Sequence, residues 1–266
     1  MEYKEQKMDI TGLIPAGGIS SRLGRIPCSK EVFPIPDPNA EGGVSVVSEH
    51  LLQCFKKAGI ETCYVIIRRG KWDIPDYYGN GSHSGINIGY LVVDLTPGTP
   101  FTLDHAYPFV KDKIVALGFP DIFFEPEDAY SELLKELSGT DSDVVLGIFP
   151  VKSFLKWDMV EFDDDNRIKN IVIKQDRPDL TYGWTNVVWR PSFTRYMNHY
   201  LKEFIRKNPD GKVRSGNHDP RELYVGDVIQ AAMADGLKVG HVMFGQGSSL
   251  DIGTPDDLQN YLRKIL

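Results

Sequence analysis

The sequence predicts an α/β protein with a mainly parallel central sheet and helices on both faces of that sheet. In the first half of the 266-residue chain, short apolar runs alternate with segments of helical spacing. In the second half, two runs of alternating apolar and polar residues flank an acidic turn, which is typical of a hairpin. We therefore expect the alternating elements to build the main sheet and the later hairpin to add a mixed β extension.

The first half supplies most of the predicted parallel strands. Apolar runs predict strands at residues 12–16, 62–67, 87–93 and 113–117. Apolar residues at helical spacing predict helices at residues 45–58 and 103–110, with a short polar or helical excursion at 73–78. Gly59 supports the first of these helices, because glycine commonly follows the last helical residue.

The second half is predicted to be richer in antiparallel structure. Its predicted elements are a helix at 130–137, a strand at 143–149, a hairpin at 159–174, a strand at 183–191 and helices at 192–206 and 225–235. The polar, turn-rich stretch at 208–220 is predicted to be a mobile loop. Because the chain shows no internal repeat and no low-complexity segment, we expect a single domain over residues 1–266.

Charge and composition exclude several classes of protein. The net charge of -7 argues against non-specific nucleic-acid binding, although a local basic pocket could still bind a small anion. Cys28, Cys54 and Cys63 show no paired spacing, which predicts reduced thiols and neither a disulfide framework nor a zinc site. No apolar stretch reaches the ~20 residues of a membrane span, and the N-terminus lacks a secretory signal. We expect a cytoplasmic protein that binds neither nucleic acid nor membranes.

The segment LIPAGGISSRLGRIPCSK, from Leu13 to Lys30, is the first candidate for a binding site. Glycines directly after a strand let backbone N–H groups approach an anion, because no Cβ stands in the way. A simple tight turn would use the same Gly17 and Gly18, so the glycine pair alone leaves both interpretations open. The segment has no Gly-Lys-Ser/Thr ending, and Ser20 stands where a dinucleotide-binding fingerprint would require glycine.

AGGISSRL followed by SKEVFPI resembles the N-terminal signature of the sugar-1-phosphate nucleotidyltransferases, the nucleoside-diphosphate-sugar pyrophosphorylases. Later segments resemble the same family in the same order: GNGSHSGINIGYLV, DLTPGTPFTLDHA, ALGFPDIFF, VEFDDDNRIKNIVIK and SLDIGTPDDLQNYL. The resemblance spans nearly the whole chain. It implies a Rossmann-like, glycosyltransferase-A-like sheet, with a nucleotide-binding half at about residues 10–150 and a sugar-phosphate-binding half at residues 151–266.

The resemblance also implies a reaction and a set of residues. In that family, the phosphate of a sugar 1-phosphate attacks the α-phosphorus of a nucleoside triphosphate and releases pyrophosphate, with the help of Mg²⁺. For this chain, dTTP or UTP is the favoured nucleotide. The implied roles are nucleotide binding by Ala16, Gly17, Gly18, Gly98 and Thr99, catalysis by Arg22 and Lys30, metal binding by Asp121 and Asp251, and sugar-phosphate binding by Lys174, Thr185 and Asn186. A turn at Gly98 and Thr99, or solvent-facing strand positions at Thr185 and Asn186, remain alternative interpretations.

The sequence departs from the family pattern at three places. Ile173 replaces the glutamate that precedes the lysine, which removes an acceptor for a sugar hydroxyl. Asn186 replaces a glycine and is expected to narrow the sugar pocket. The metal-binding aspartate, Asp121, comes two positions later than in the thymidylyltransferase pattern. We hypothesise that Pro120 bends the end of the strand and so restores the direction of the Asp121 carboxylate.

The leading hypothesis is therefore a magnesium-dependent enzyme that makes a nucleotide sugar. Two alternatives stay open: a cytidylyltransferase or related enzyme acting on a non-glucose or non-sugar phosphate, and a non-catalytic regulator that binds a nucleotide sugar. The presence of two candidate metal carboxylates, Asp121 and Asp251, argues against the regulator. Because many thymidylyltransferases continue with further helices after the segment that matches Asp251, we expect a monomer or a homodimer.

Overall fold

The computed structural model describes residues 9–19, 23–38, 40–151, 155–214 and 220–265. The strands are β1 (Ile10–Ala16), β2 (Pro34–Pro36), β3 (Val44–Val46), β4 (Thr62–Arg68), β5 (Asn87–Val93), β6 (Ile114–Leu117), β7 (Ile122–Glu125), β8 (Val144–Pro150), β9 (Asp158–Phe162), β10 (Ile168–Ile173), β11 (Tyr182–Trp189), β12 (Lys212–Val213), β13 (Arg221–Glu222), β14 (Val239–Met243) and β15 (Ser248–Asp251). The helices are α1 (Glu49–Lys57), α2 (Asp73–Tyr78), α3 (Thr99–Asp104), α4 (Tyr107–Val110), α5 (Ala129–Gly139), α6 (Pro191–Lys207), α7 (Val225–Ala234) and α8 (Pro255–Ile265).

Nine strands form the central sheet. Its first part is parallel, in the order β5-β4-β1-β6, so the carboxyl ends of these strands lie at one edge. Strand β11 then runs antiparallel to β6 and also pairs with β8, which is followed by the parallel strand β14. The β9–β10 hairpin joins the sheet through β11. Ligands of open α/β sheets bind outside the carboxyl ends of the strands, so this edge is where a site is expected.

The core has two layers because successive side chains of a strand point to opposite faces of the sheet. Leu13 of β1 packs in one layer, under α3, α4, α6 and α7, whereas Ile14 packs in the other layer, under α1 and α5. Gly12 of β1 lets α1 approach closely, since a Cβ there would lie 2.6 Å from Cε2 of Phe55. The predicted α/β class with helices on both faces is confirmed.

Several predicted elements differ from those observed. The helix predicted at residues 45–58 starts later, at Glu49, because residues 44–46 form strand β3 and pair with β2. The helix predicted at residues 103–110 is two short helices, α3 and α4, and each has a proline at its start. Strand β12 lies within the predicted 208–220 loop, of which residues 215–219 fall outside the described residues.

The short strands β2, β3, β7, β12 and β13 were not predicted, and neither were β14, β15 and α8. A strand of two to four residues carries too few side chains to show a period of two, so its pairing partner defines it. Among the described helices, none combines the length and the apolar content that crossing a bilayer requires.

Candidate active site

The carboxyl ends of β1 and β6, the hairpin β9–β10 and the start of α7 enclose a cavity of about 490 Å³. Nine of the twelve predicted site residues line it: Gly17, Gly18, Lys30, Gly98, Thr99, Asp121, Lys174, Thr185 and Asp251. These residues come from seven separate segments of the chain. The fold therefore brings residues predicted for nucleotide, metal and sugar-phosphate binding to one place.

The other three predicted residues have different outcomes. Arg22 lies outside the described residues. Ala16 is buried in the core layer under α1 and does not line the cavity, although its neighbours Pro15 and Gly17 do. Asn186 is also buried away from the cavity, with its Cβ near Gly147, so the expectation that it narrows the sugar pocket is wrong.

The reason for this outcome at Asn186 is the alternation of side chains along a strand. Thr185 of β11 lines the cavity, and the next residue, Asn186, faces the opposite side of the sheet, near Tyr130 of α5. The hydroxyl of Thr185 donates a hydrogen bond to Oδ1 of Asn186, and both residues are buried. Asn186 thus supports the strand beneath Thr185.

Lys30 and Asp121 form an ion pair inside the cavity. Nζ of Lys30 lies 2.5 Å from Oδ2 of Asp121, and both side chains are largely buried. Burial alone would lower the pKa of Lys30, but the negative charges of Asp121 and Glu31 outweigh it and raise the pKa. Lys30 therefore stays positively charged where an anion entering the cavity would meet it.

The turn that carries Lys30 is held from two sides. Ser29 donates from its backbone N–H and its hydroxyl to the carboxylate of Asp73, at 2.5 and 2.8 Å. Next to Lys30, Glu31 accepts two hydrogen bonds from Nζ of Lys71, at 2.7 and 2.9 Å. The side chains of this second pair are almost fully buried, with exposures of 2% for Glu31 and 5% for Lys71.

This second pair was not predicted from the sequence. Glu31 directly follows Lys30, and Lys71 lies in the loop after β4, so the adjacency of Glu31 to Lys30 was the one available signal. Burial lowers the pKa of Lys71, and the charge of Glu31 opposes that effect. The pair keeps the backbone at Lys30 against the sheet edge and leaves Lys30 itself free to face Asp121.

Asp121 and Asp251 are brought together by a short antiparallel pair of strands. Asp251 is the last residue of β15 and pairs with Ile122 of β7, and the backbone N–H of Ile252 donates to the carbonyl of Asp121 at 2.9 Å. Asp121 itself lies in the turn between β6 and β7. Both carboxylates line the cavity, and the charge of Asp251 contributes to the raised pKa of Lys30.

Two carboxylates are sufficient for a magnesium site that is completed by substrate phosphates and water. Within the described residues, no group of three or more histidine, cysteine or acidic side chains is arranged to hold a metal ion by itself. The donor set of Asp121 and Asp251 is made of hard oxygens, which suits Mg²⁺. These residues therefore fit a cation that arrives with an anionic substrate.

Gly98 lines the cavity at the start of α3. A Cβ at this position would lie 2.5 Å from the backbone oxygen of Leu223, so only glycine fits without a shift of the chain. The carbonyl of Gly98 accepts from the hydroxyl of Thr96 at 3.2 Å and from the backbone N–H of Thr102 at 3.3 Å. Nearby, Ile19 and Leu95 line the cavity with exposed apolar side chains, which suits contact with a flat ring.

The remaining wall consists of the hairpin β9–β10, the strand β11 and the start of α7. Lys174 follows β10 with a positive φ of 44°, an unfavourable backbone conformation for a residue with a side chain. Its Nζ lies 3.8 Å from the centre of the Tyr224 ring. Asp158 and Trp184 line the same wall and were not predicted, since neither belongs to a recognisable motif.

Ile173 lies in the core and not in the cavity lining. Asp158 pairs directly with it across the β9–β10 ladder. Burial raises the pKa of Asp158 to about 6, with the charge of Lys174 acting in the opposite direction. A carboxylate is therefore present on this wall, one strand away from the position at which the family pattern has its glutamate.

Comparison with known proteins assigns the class. The sequence model of the nucleotidyl transferase family matches residues 11–266, so the chain belongs to that family. The predicted family and the predicted type of enzyme, a nucleotidyltransferase, are thereby confirmed.

Two curated relatives are each 24% identical to this chain over 93% of its length. One is the low-salt glycan biosynthesis nucleotidyltransferase Agl11 of Haloferax volcanii, and the chain spans 63% of its length, less than two thirds. The other is a glucose-1-phosphate thymidylyltransferase of Neisseria meningitidis, of which the chain spans 79%.

Solved structures show the same fold at low sequence identity. A candidate glucose-1-phosphate thymidylyltransferase from Bacillus anthracis, in complex with sucrose, superposes with a TM-score of 0.79 at 18% identity, covering 96% of this chain and 94% of that one. The inositol-1-phosphate CTP transferase from T. maritima superposes with a TM-score of 0.68 at 18% identity, covering 97% and 95%.

Proposed function

We propose that this protein joins a nucleoside triphosphate to a sugar 1-phosphate, giving a nucleoside-diphosphate sugar and pyrophosphate with the help of Mg²⁺. The observation that carries the proposal is the arrangement of Lys30, Asp121 and Asp251 in one cavity. A cation and two carboxylates at the end of a parallel sheet, beside the glycines at 17 and 18, match the needs of transfer between two anions.

The reaction requires two anions to meet. An oxygen of the sugar 1-phosphate attacks the α-phosphorus, the bond from that phosphorus to the bridging oxygen of the β-phosphate breaks, and pyrophosphate leaves with the electron pair. Lys30 provides positive charge for the phosphate that is attacked, and Gly17 and Gly18 let the backbone approach the triphosphate. Mg²⁺ bound by Asp121 and Asp251 would neutralise further charge on the phosphates.

The residues that line the cavity support an assignment of its two sides to the nucleotide and to the acceptor. We place the base against Gly98, Thr99, Leu95 and Ile19, and the acceptor phosphate near Lys174 and Thr185. The relatives include thymidylyltransferases and a CTP transferase, so we propose a pyrimidine nucleoside triphosphate, with dTTP or UTP favoured. We also propose a single domain whose two halves bind nucleotide and acceptor, in a cytoplasmic monomer or homodimer.

A second candidate is transfer of a cytidylyl group to a non-glucose or non-sugar phosphate. Ile173 favours it, because an apolar residue stands where a hydroxyl-binding glutamate would serve a glucose ring. A structural neighbour named as a CTP transferase acting on an inositol phosphate shares the fold. The two candidates differ in base and acceptor and use the same Lys30, Asp121 and Asp251.

The test is a pyrophosphate-release assay with each common nucleoside triphosphate against a panel of sugar 1-phosphates, inositol 1-phosphate and phosphocholine, with and without Mg²⁺. We expect turnover that requires the divalent cation and falls at least ~100-fold in Asp251→Asn. Asp112→Asn is the matched control, since Asp112 is exposed and pairs with Arg195 away from the cavity. Turnover that survives Asp251→Asn, or that needs no divalent cation, contradicts the mechanism, and tight product binding without any turnover favours the regulator.

A further inference from the structure

The acceptor side of the cavity contains a hydrogen-bond acceptor and a donor that nothing in the described part of the chain satisfies. Oδ1 of Asp158 and Nε1 of Trp184 are both shielded from solvent and make no hydrogen bond with any described residue. A buried polar group without a partner costs free energy, and native structures contain few of them. Because both residues line the cavity, a small movement of either side chain would bring its unsatisfied atom into contact with a ligand there.

The sheet holds these two residues side by side. Strand β9 lies between β10 and β11, with Asp158 opposite Ile173 on one side and Met159 opposite Gly183 on the other. The antiparallel register then brings Trp184 level with Asp158. The carboxyl group turns about χ2 at little cost, so either of its oxygens can be presented to the cavity.

The position of Asp158 is set by the start of α7. A Cβ on Gly226 would lie 2.6 Å from Oδ2 of Asp158, so the absence of a side chain at Gly226 makes room for the carboxylate. The helix N-terminus carries partial positive charge, which favours a carboxylate at this end. The carboxylate is therefore accommodated by this helix, and its other oxygen is left for a ligand.

The chemistry of the pair indicates what it binds. A hydroxyl group can donate its proton to the carboxylate and accept from the indole N–H at the same time. A cationic group fits less well, because Lys174 already places positive charge on this wall, 3.8 Å from the Tyr224 ring. A neutral polyol is thus the better match to Asp158 and Trp184.

We propose that Asp158 and Trp184 select an acceptor phosphate whose carbon skeleton carries a free hydroxyl group, in preference to an acceptor without one. This inference rests on the proposed function, since it assigns a specificity to the acceptor side of that active site. It places the hydroxyl-binding carboxylate on β9, opposite the apolar Ile173 of β10.

The selection depends on pH because only the ionised carboxylate accepts the hydroxyl proton in this way. Burial raises the pKa of Asp158 to about 6; Asp227 acts in the same direction, and Lys174 and Arg221 act against it. The other charged side chains on the cavity lining near this wall are Lys156 and Glu222. The KM for a hydroxylated acceptor should therefore rise as the pH falls through about 6, and Asp158→Asn should abolish that rise.

The experiment compares glucose 1-phosphate, its monodeoxy analogues and ethyl phosphate as acceptors for the wild type, Asp158→Asn and Trp184→Phe. We expect Asp158→Asn to lower kcat/KM about 10- to 100-fold for acceptors that keep the selected hydroxyl and to change it little for the one analogue that lacks it. Trp184→Phe should give a smaller loss on the same acceptors. The KM for the nucleotide should stay within about 2-fold of the wild type in both variants.

Two results overturn the proposal: an equal loss on all acceptors, or ethyl phosphate serving the wild type as well as glucose 1-phosphate. Asp164→Asn, in the exposed turn of the same hairpin, is the matched control and should change nothing. Asp158→Asn removes a buried charge and should not lower the Tm. A Tm equal to that of the wild type would show that the variant is folded.

If the wild type turns over no acceptor, that result rejects the proposed function but does not reject this inference. In that case calorimetry measures binding of glucose 1-phosphate, its monodeoxy analogues and ethyl phosphate to the wild type and to Asp158→Asn. Tighter binding of the hydroxylated compounds to the wild type, lost in Asp158→Asn, supports the inference. Equal affinities for the two proteins overturn it.

Discussion

The two sides of the cavity differ in how their polar groups are satisfied. On the side of the glycine loop, Lys30 contacts Asp121, and Glu31 contacts Lys71, before any substrate is present. On the acceptor side, Asp158 and Trp184 each keep a buried polar atom without a hydrogen bond to any described residue. The first side is a charge network held by the protein itself, and the second is a surface that a ligand completes.

This difference has an energetic meaning. Paired buried charges are costly to disturb, because removing one partner leaves the other uncompensated. Buried polar groups without a hydrogen bond lower the stability of the empty protein. A ligand that supplies the missing hydrogen bonds removes this penalty, so these groups favour ligands with matching polar groups. We therefore expect substitutions on the first side to affect stability and all substrates, and substitutions on the second to affect particular acceptors.

The largest expected effect is on stability, in Lys71→Met. The variant leaves the buried carboxylate of Glu31 without its partner and should cost about 3–5 kcal/mol of unfolding free energy. For a chain of this size that lowers the Tm by about 6–20 °C. The double variant Glu31→Gln/Lys71→Met should recover a large part of the loss, and a double variant as unstable as the single one would show that the pair is not the cause. Thermal unfolding measures all of them.

Lys30→Met tests the catalytic half of the network. Loss of the Lys30 cation, which contacts Asp121, should lower kcat/KM about 100- to 1,000-fold for every acceptor, because the charge acts on the phosphate common to all of them. Steady-state pyrophosphate release gives the value. Lys135→Met is the control, since Lys135 is exposed on α5 and pairs with Glu132. A loss that differs between acceptors would place Lys30 on the acceptor side.

Gly98→Ala should have an intermediate effect. The added Cβ would lie 2.5 Å from the backbone oxygen of Leu223, and relieving this overlap should cost about 1–3 kcal/mol. The shift of the wall should also raise the KM for the nucleotide more than the KM for the acceptor. Gly139→Ala is the control, because a Cβ at the end of α5 meets no atom within 4 Å. An unchanged nucleotide KM would remove Gly98 from the nucleotide side.

The smallest effect is expected for Tyr224→Leu. The ring of Tyr224 lies under Nζ of Lys174, and an exposed cation–π contact is worth about 0.5–1 kcal/mol, so the KM for the acceptor should rise about 2- to 5-fold. Tyr224→Phe keeps the ring and should behave as the wild type. If Tyr224→Phe shows the same rise as Tyr224→Leu, the hydroxyl group and not the ring is responsible.

Most long elements were predictable because their patterns are local, although the eleven-residue helix α8 was not predicted. The strand at residues 87–93 was predicted with the bounds that β5 has. Helix α6 differs from its prediction by one residue at each end, and α7 differs by one residue at its C-terminal end. Two or three turns of helix, or seven residues of strand, carry enough side chains to show a period. The strands β7 and β15 have four residues each, and only their mutual pairing identifies them.

Nine of the twelve residues that the motifs predicted for the site line the cavity. Lys30, Asp121 and Asp251 belong to segments that resemble a family signature, and the fold places all three on one cavity. Asp158, Trp184 and Lys71 belong to no such segment, and Glu31 lies in SKEVFPI without a role that the resemblance implies. Their roles depend on neighbours that are distant in sequence.

By itself, the sequence determined the α/β class, the family and nine of the residues that line the cavity, because periodicity and motif spacing are properties of neighbouring positions. The tertiary structure alone decided that Asn186 faces away from the cavity, that Glu31 is buried against Lys71, and that Asp158 stands opposite Ile173. The physical reason is that burial, ion pairing and unsatisfied hydrogen bonds are set by contacts between segments. Such contacts exist only once the strands have paired and the helices have packed on them.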